Sequence, residues 1–155
     1  MGRGTIGWAL VVAQFALLVV LVLLPWRTPS GLSLIVGLVL IASGVALGLV
    51  AGRRLGRALT PTPVPISGAG LRTDGVYRYV RHPIYSAVLL GVLGFVVAAG
   101  SLWSLAWGVL ILIFFWVKSR WEDTLLHEAY GDEWQRWAAT TGALIPLPSR
   151  GSGPG

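Results

Sequence analysis

Apolar residues occur along this chain in long blocks, and polar residues are concentrated between the blocks. The first block contains Gln14 as its only strongly polar member, and Gly100 with Ser101 divides the last block in two. A helix needs about 20 apolar residues to cross the hydrocarbon core of a bilayer. The pattern therefore predicts an all-α, polytopic membrane protein with four transmembrane helices, at about residues 6–24, 32–52, 84–99 and 102–117.

Small residues recur on two of these predicted helices. The second carries Gly37, Gly44 and Gly48 at spacings of seven and four, which brings them near one helical face. Such a face lets another helix approach closely. The third carries four small residues that would either pack against a helix or leave room for a lipid chain: Ser86, Ala87, Gly91 and Gly94.

The residues that follow the fourth span predict short cytoplasmic helices. Trp121, Leu125 and Ala129 recur every four residues, which is typical of a helix with one apolar face. Gly131 suits the end of that helix, and Asp132 suits the start of another. We therefore expect C-terminal helices over residues 118–140.

One domain accounts for nearly the whole chain. The segment 53–83 is rich in proline and glycine, so we expect a mostly irregular cytoplasmic loop there. Residues 149–155 are small and lack a structure-forming pattern, which predicts a flexible tail. The expected single membrane domain covers residues 1–148.

Basic residues predict the orientation of the helices. Eleven of the twelve lie before the first span, between the second and third, or after the fourth, and Arg27 is the exception. The positive-inside rule then puts both termini and the middle loop in the cytoplasm, with the inner membrane of the cell as the expected location. The net charge of +6 is explained by this topology, with membrane lipids as neighbours. Nucleic acid is not an expected partner, because no basic recognition helix is present.

Composition narrows the chemistry further. The chain is 55% hydrophobic and 12% charged, which excludes a water-soluble globular fold. It contains no cysteine, so disulfides, thiolate zinc sites, iron-sulfur clusters and a cysteine nucleophile are excluded. We expect no metal site, since His127 has no second ligand at the helical spacing of a known metal motif.

The segment 75–85, Gly-Val-Tyr-Arg-Tyr-Val-Arg-His-Pro-Ile-Tyr, directly precedes and enters the third span. Pro83 favours an extended His82 and suits the first turn of a helix. Free N–H groups at a helix start attract anions, and Arg81 adds positive charge there. The alternative is a basic anchor at the membrane surface, which we favour for Arg78 taken alone.

Two acids follow the fourth span at once. Glu122 lies about one turn past the predicted membrane border, where a carboxylate costs free energy unless it is solvated, paired or bound to a cation. A local ion pair of Glu122 with Lys118 would meet that need, as would a pair of Asp123 with His127. The other interpretation is that these acids bind a ligand.

Taken together, these motifs resemble the isoprenylcysteine carboxyl methyltransferase-like family, which belongs with the membrane phospholipid methyltransferases. The resemblance covers roughly residues 60–148 and rests on a linked series: Gly75-x-Tyr-Arg-Tyr-x-Arg-His-Pro-x-Tyr85, Glu122-Asp123-x-x-Leu126, Tyr130-Gly131-x-x-Trp134-x-x-Trp137 and Ile145-Pro146. It implies a membrane enzyme that uses S-adenosylmethionine on the cytoplasmic side. The chain departs from the family pattern at Asp123, where a second glutamate is usual, and at Trp134 and Trp137, where tyrosines are usual.

The resemblance implies a set of site residues. Arg81 and His82 are the expected catalytic residues, and the cofactor would be bound by Tyr77, Arg81, His82, Pro83, Tyr85, Glu122 and Asp123. The helix start would take the cofactor's carboxylate, the acids its ammonium or ribose diol, and a tyrosine its adenine or sulfonium. Arg81 would orient a carboxylate acceptor, whereas an amine acceptor would require a base such as His82 or Asp123.

The expected acceptor is a lipophilic small molecule or lipid with a carboxylate or amine head, methylated at the cytoplasmic border of the membrane. Two other functions remain open. Sterol reductases share a related C-terminal pattern, so an oxidoreductase with a nicotinamide cofactor is one alternative. A non-catalytic membrane scaffold, with arginines as anchors and aromatic residues as belts, is the other.

Overall fold

The computed structural model describes residues 2–56 and 70–147, and helix dominates this part of the chain. The elements in order are α1 (Arg3–Leu23), α2 (Gly31–Leu55), a 3-10 turn (Gly75–Arg78), α3 (Pro83–Ala99), α4 (Leu102–Tyr130) and α5 (Asp132–Thr140). Within those residues, β pairing is limited to one isolated parallel bridge between Val80 and Gly142. The predicted all-α class is confirmed.

Among the described residues, three helices are long and apolar enough to cross a membrane, namely α1, α2 and α4. Helix α3 is apolar but has 17 residues, about 25 Å at 1.5 Å per residue. The hydrocarbon core is about 30 Å thick, so α3 is slightly shorter than a full span. The chain is an integral membrane protein whose described residues include three candidate spans, and a fourth span at α3 stays a prediction.

Helices α2 and α3 pack closely and antiparallel. Gly37 lies against Gly94. Gly44, seven residues later on the same face of α2, lies against Ala87. A Cβ on Gly44 would stand 2.7 Å from the carbonyl oxygen of Ala87, so only glycine permits this approach. The predicted close helix contact is confirmed, and packing against α2 accounts for Ala87 and Gly94 of α3, whereas a Cβ on Gly91 would meet open space. Ser86 instead donates to the carbonyl oxygens of His82 and Leu144.

Helix α1 packs against α4, also antiparallel, through three side-chain contacts. The indole of Trp107 donates to the carbonyl oxygen of Leu17 at 2.8 Å. Lys118 Nζ donates to Gln14 Oε1 at 2.6 Å. Arg3, at the start of α1, pairs with Glu128, near the end of α4, at 2.6 Å. A buried apolar cluster formed by Leu21, Val92, Ile111 and Phe115 lies deeper in the bundle.

Helix α4 continues well beyond its apolar part. It has 29 residues, about 44 Å, which exceeds the thickness of the hydrocarbon core. Gly131 ends it with φ of 51°, a conformation that favours glycine, and α5 begins at the next residue. The continuation and the break both agree with the sequence pattern.

The middle loop begins slightly later than expected, because α2 extends to Leu55 rather than residue 52. Residues 57–69 of the predicted loop and the predicted tail lie outside the described residues. The helix pairing brings the start of α1, the end of α2, the start of α3 and the end of α4 to one end of the bundle. The opposite end is marked by the bond from the Arg27 amide to the Ala99 carbonyl oxygen.

Candidate active site

The start of α3 is fixed by the segment that follows α5. Pro83 is the first residue of α3, and His82 occupies the cap position. The amides of Arg81 and His82 donate to the carbonyl oxygens of Gly142 and Ala143 at 2.8 and 3.0 Å. A side chain at Gly142 would overlap the Ile145 carbonyl, so the backbone conformation of this segment requires glycine at position 142. The sequence pattern gave no signal for this role of Gly142.

Arg81 forms the most extensive contacts at this end of the bundle. Its Nε and Nη2 donate to the two carboxylate oxygens of Asp123 at 3.2 and 3.0 Å. Its Nη1 donates to the carbonyl oxygens of Ala138 and Thr141. The side chain is only 10% exposed. Arg81 thus joins α3, α4 and the end of α5, and all three guanidinium nitrogens are directed at protein acceptors.

His82 lies between two adjacent acids of α4, Glu122 and Asp123. Its Nε2 is 2.9 Å from Asp123 Oδ1, and its Nδ1 is 3.4 Å from Glu122 Oε2. Burial lowers the pKa of His82, but the hydrogen bonds to Asp123 and Glu122 outweigh this and raise the pKa to about 9. His82 is therefore an imidazolium at neutral pH, which favours a charge-stabilising role over that of a general base.

Glu122 is the more accessible of the two acids. Its carboxylate accepts a hydrogen bond from the Tyr85 hydroxyl at 2.7 Å, and the Tyr85 ring stacks on the His82 imidazole. The Glu122 side chain is 22% exposed, compared with 5% for Asp123. Asp123 is committed to Arg81 and His82, whereas Glu122 retains the capacity to bind a ligand.

Tyr77 lies near these residues and contacts both α2 and α5. The Tyr77 hydroxyl donates to the carbonyl oxygen of Ala51 at 3.4 Å. The indole of Trp137 donates to the carbonyl oxygen of Tyr77 at 3.0 Å. Burial, and to a smaller extent the charge of Glu122, raise the pKa of Tyr77 to about 12. The phenol therefore stays protonated at physiological pH.

The structure brings five predicted site residues into one hydrogen-bonded group: Arg81, His82, Tyr85, Glu122 and Asp123. Pro83 lies within the same segment, and Tyr77 lies beside it. The local pairs considered from the sequence are not formed among the described residues. Lys118 contacts Gln14 instead of Glu122, and His127 contacts Gln135 instead of Asp123.

Two further residues of this region had no functional assignment from the sequence. Trp134 lies beside Arg81, with the guanidinium carbon 5.8 Å from the centre of its ring. Its Nε1 is buried and has no hydrogen-bond partner among the described residues. Gln14 reaches the region from α1 through Lys118, whose Nζ lies 5.0 Å from the centre of the Tyr85 ring.

Comparison with known proteins identifies the family of the chain. A model of the phospholipid methyltransferase family matches residues 32–133, from the start of α2 into α5. Protein-S-isoprenylcysteine O-methyltransferase of Schizosaccharomyces pombe is 32% identical over 78 residues, which are 50% of this chain and 33% of that protein. The match thus spans about a third of the length of that relative. Because the family match covers more than half of the chain, this protein belongs to the phospholipid methyltransferase family.

Proposed function

We propose that this protein is an integral membrane methyltransferase that uses S-adenosylmethionine to methylate a lipophilic acceptor at the cytoplasmic border of the membrane. The observation that carries the proposal is the charged group formed by Arg81, His82, Glu122 and Asp123 at one end of an apolar helix bundle. Buried charges in a membrane protein are costly and generally mark functional sites. All four residues lie within the stretch that matches the family model.

The donor and acceptor chemistry of the site fits this cofactor. Glu122 offers a partly exposed carboxylate that would hold the ammonium or the ribose diol. The indole N–H of Trp134, which has no hydrogen-bond partner among the described residues, supplies a buried donor in the same region. Tyr85, Tyr77 and Pro83 would form the apolar and aromatic surroundings. When bound, S-adenosylmethionine supplies a methyl group activated by the sulfonium.

The remaining residues act on the charge and orientation of the site. The His82 imidazolium would stabilise a nearby carboxylate, either of the cofactor or of the acceptor. Arg81 holds Asp123 through two hydrogen bonds, and Asp123 in turn holds His82. We therefore assign Arg81 and Asp123 the work of keeping His82 and Glu122 in place. Methyl transfer itself demands mainly alignment of donor and acceptor, which such a rigid group provides.

A lipophilic acceptor is supported by the position of the site. The helices below it expose apolar side chains outward, among them Phe15, Leu38 and Ile113, as expected for contact with lipid tails. An acceptor with its chain in the bilayer would present its head at the level of Glu122. The family name refers to phospholipids, and the yeast relative's name to an isoprenylcysteine. Both an amine head and a carboxylate head therefore remain within the proposal.

Two measurements on purified protein in lipid nanodiscs test the proposal. Calorimetric titration should detect binding of S-adenosylmethionine but no binding of the reduced nicotinamide dinucleotide. Labelled methyl transfer should then be measured to a membrane lipid extract and to a prenylated cysteine. Binding of the nicotinamide dinucleotide alone would support the reductase alternative, and binding of neither would support a scaffold.

A further inference from the structure

Gln14 is the one strongly polar residue of the first apolar block, and it lies outside the stretch that matches the family model. The structure directs its side chain to the single lysine of the chain. Lys118 Nζ donates to Gln14 Oε1 at 2.6 Å, and Lys118 as a whole is 2% exposed. A polar pair of this kind within a helix bundle requires an explanation beyond packing.

The position of Lys118 on α4 supplies that explanation. Glu122 lies one turn further along the same helix, at the spacing where opposite charges ordinarily pair. Tyr85 stands between the two groups: the ammonium lies 5.0 Å from the centre of its ring, and its hydroxyl donates to Glu122 at 2.7 Å. Gln14 thus holds the Lys118 ammonium over the Tyr85 ring. The Glu122 carboxylate stays with Tyr85 and His82.

We infer that Gln14 is a positioning residue that holds the Lys118 ammonium away from Glu122, so that the Glu122 carboxylate remains available to a cationic ligand group. Without Gln14, Lys118 has lost its described hydrogen-bond acceptor and turns to Glu122, the acid four residues further along the same helix. Their pairing neutralises the charge that the ligand needs. Helix α1 therefore takes part in the site although it contributes no residue to the charged group. This role rests on the proposed function, in which Glu122 binds the cofactor.

Three variants separate this role from simple docking of α1. Gln14→Leu should weaken S-adenosylmethionine binding about tenfold, which corresponds to ~1.4 kcal/mol. Adding Lys118→Met to that variant should restore the affinity, because it removes the competing cation. Gln14→Glu keeps an acceptor for the lysine and should bind like the wild type. Trp107→Phe is the matched control, since it removes another α1–α4 hydrogen bond without touching Lys118, and it should leave binding unchanged.

A second readout needs no cofactor. The chain has two histidines, so nitrogen-15 NMR can follow the titration of His82, with His127→Asn to assign its signal. Among the described residues, Glu122 and Asp123 contact the His82 imidazole, Tyr85 stacks on it, and Arg81 shares Asp123 with it. In Gln14→Leu, pairing of Lys118 with Glu122 should lower the pKa of His82, and Lys118→Met should reverse that change.

Specific outcomes would overturn the inference. Wild-type affinity and an unchanged His82 titration in Gln14→Leu would do so, as would a double variant that remains as weak as the single one. If Gln14→Leu fails to fold, Lys118→Met alone decides, because loss of binding there would make Lys118 itself a ligand contact. If the wild type binds no S-adenosylmethionine, the proposed function fails, while the His82 titration still tests whether Gln14 controls the charge around Glu122.

Discussion

The hydroxyl of Tyr85, in the first turn of α3, donates to the carboxylate of Glu122, near the far end of α4, at 2.7 Å. The two residues are 37 positions apart in sequence, and each also approaches His82. Glu122 is also the more exposed acid of the charged group, at 22% compared with 5% for Asp123. This exposure identifies Glu122 as the acid whose loss should affect a ligand most directly.

Glu122→Gln should weaken binding of S-adenosylmethionine by about 1.5 to 3 kcal/mol, because a charge-assisted hydrogen bond is replaced by a neutral one. Calorimetry in nanodiscs measures the change. Glu128→Gln is the matched control on the same helix. Its exposed ion pair with Arg3 should contribute less than about 1 kcal/mol to the free energy of unfolding, and the affinity for S-adenosylmethionine should not change. Equal affinities for wild type and Glu122→Gln would contradict the ligand role.

Arg81→Lys should reduce cofactor binding and turnover together. Lysine cannot reproduce the two-point contact with Asp123 while also reaching the carbonyl oxygens of Ala138 and Thr141. The measurement is a comparison of kcat, the acceptor KM and cofactor affinity. A rise in the acceptor KM alone would mean that Arg81 contacts the acceptor, and the positioning role would then be wrong.

The stability of the fold should depend on pH through His82. Its pKa is about 9 in the folded protein and about 6.5 when unfolded, so the folded state binds the proton more tightly. The resulting stabilisation is complete below about pH 6.5 and is lost as pH rises through about 9. Unfolding measured from pH 6 to 10 should show this decline in wild type and in His127→Asn, and a smaller one in His82→Asn. Parallel declines in all three would contradict the assignment.

Close packing of α2 on α3 can be tested with two alanine substitutions. Gly44→Ala should destabilise the protein by about 1 to 3 kcal/mol, because its Cβ would stand 2.7 Å from the Ala87 carbonyl oxygen. Gly48→Ala should have little effect, since its Cβ would meet the Ala87 side chain at 3.5 Å, an ordinary contact. Unfolding in a denaturing detergent compares the two. Helix propensity favours alanine at both positions, so equal effects of the two substitutions would contradict the assigned close packing at Gly44.

The topology can be mapped with single cysteines, because the chain has none of its own. Cysteines at Thr5 and Thr140 should react only with a reagent that reaches the cytoplasm, and one at Thr28 should react from outside the cell. The expectation follows from the distribution of basic residues. Labelling of Thr140→Cys from outside the cell would contradict the predicted orientation and would put the site on the outer side of the membrane.

The helices could be predicted from the sequence, since long apolar runs are local signals. The members of the charged group are expected as site residues because their motifs resemble those of a known family. The partners of those residues could not be predicted. Arg81 binds main-chain carbonyl oxygens at 138 and 141, which have no side-chain signature. Lys118 prefers Gln14, which is 104 positions away, to the acid one turn along its own helix. In both cases tertiary burial selects the partner, whereas sequence spacing indicates only neighbours on one helix.

Helix α4 runs without interruption from Leu102 to Tyr130, so the lipid-facing residues and the two acids belong to one rigid rod. Each residue of that rod adds about 1.5 Å of height and 100° of rotation. A bilayer thicker or thinner than the apolar part of α4 is accommodated by tilt. Tilt would move Glu122 relative to Tyr85 on the shorter α3. We therefore expect the thickness of the surrounding lipid bilayer to change the distance between Glu122 and Tyr85, and with it the geometry of the site.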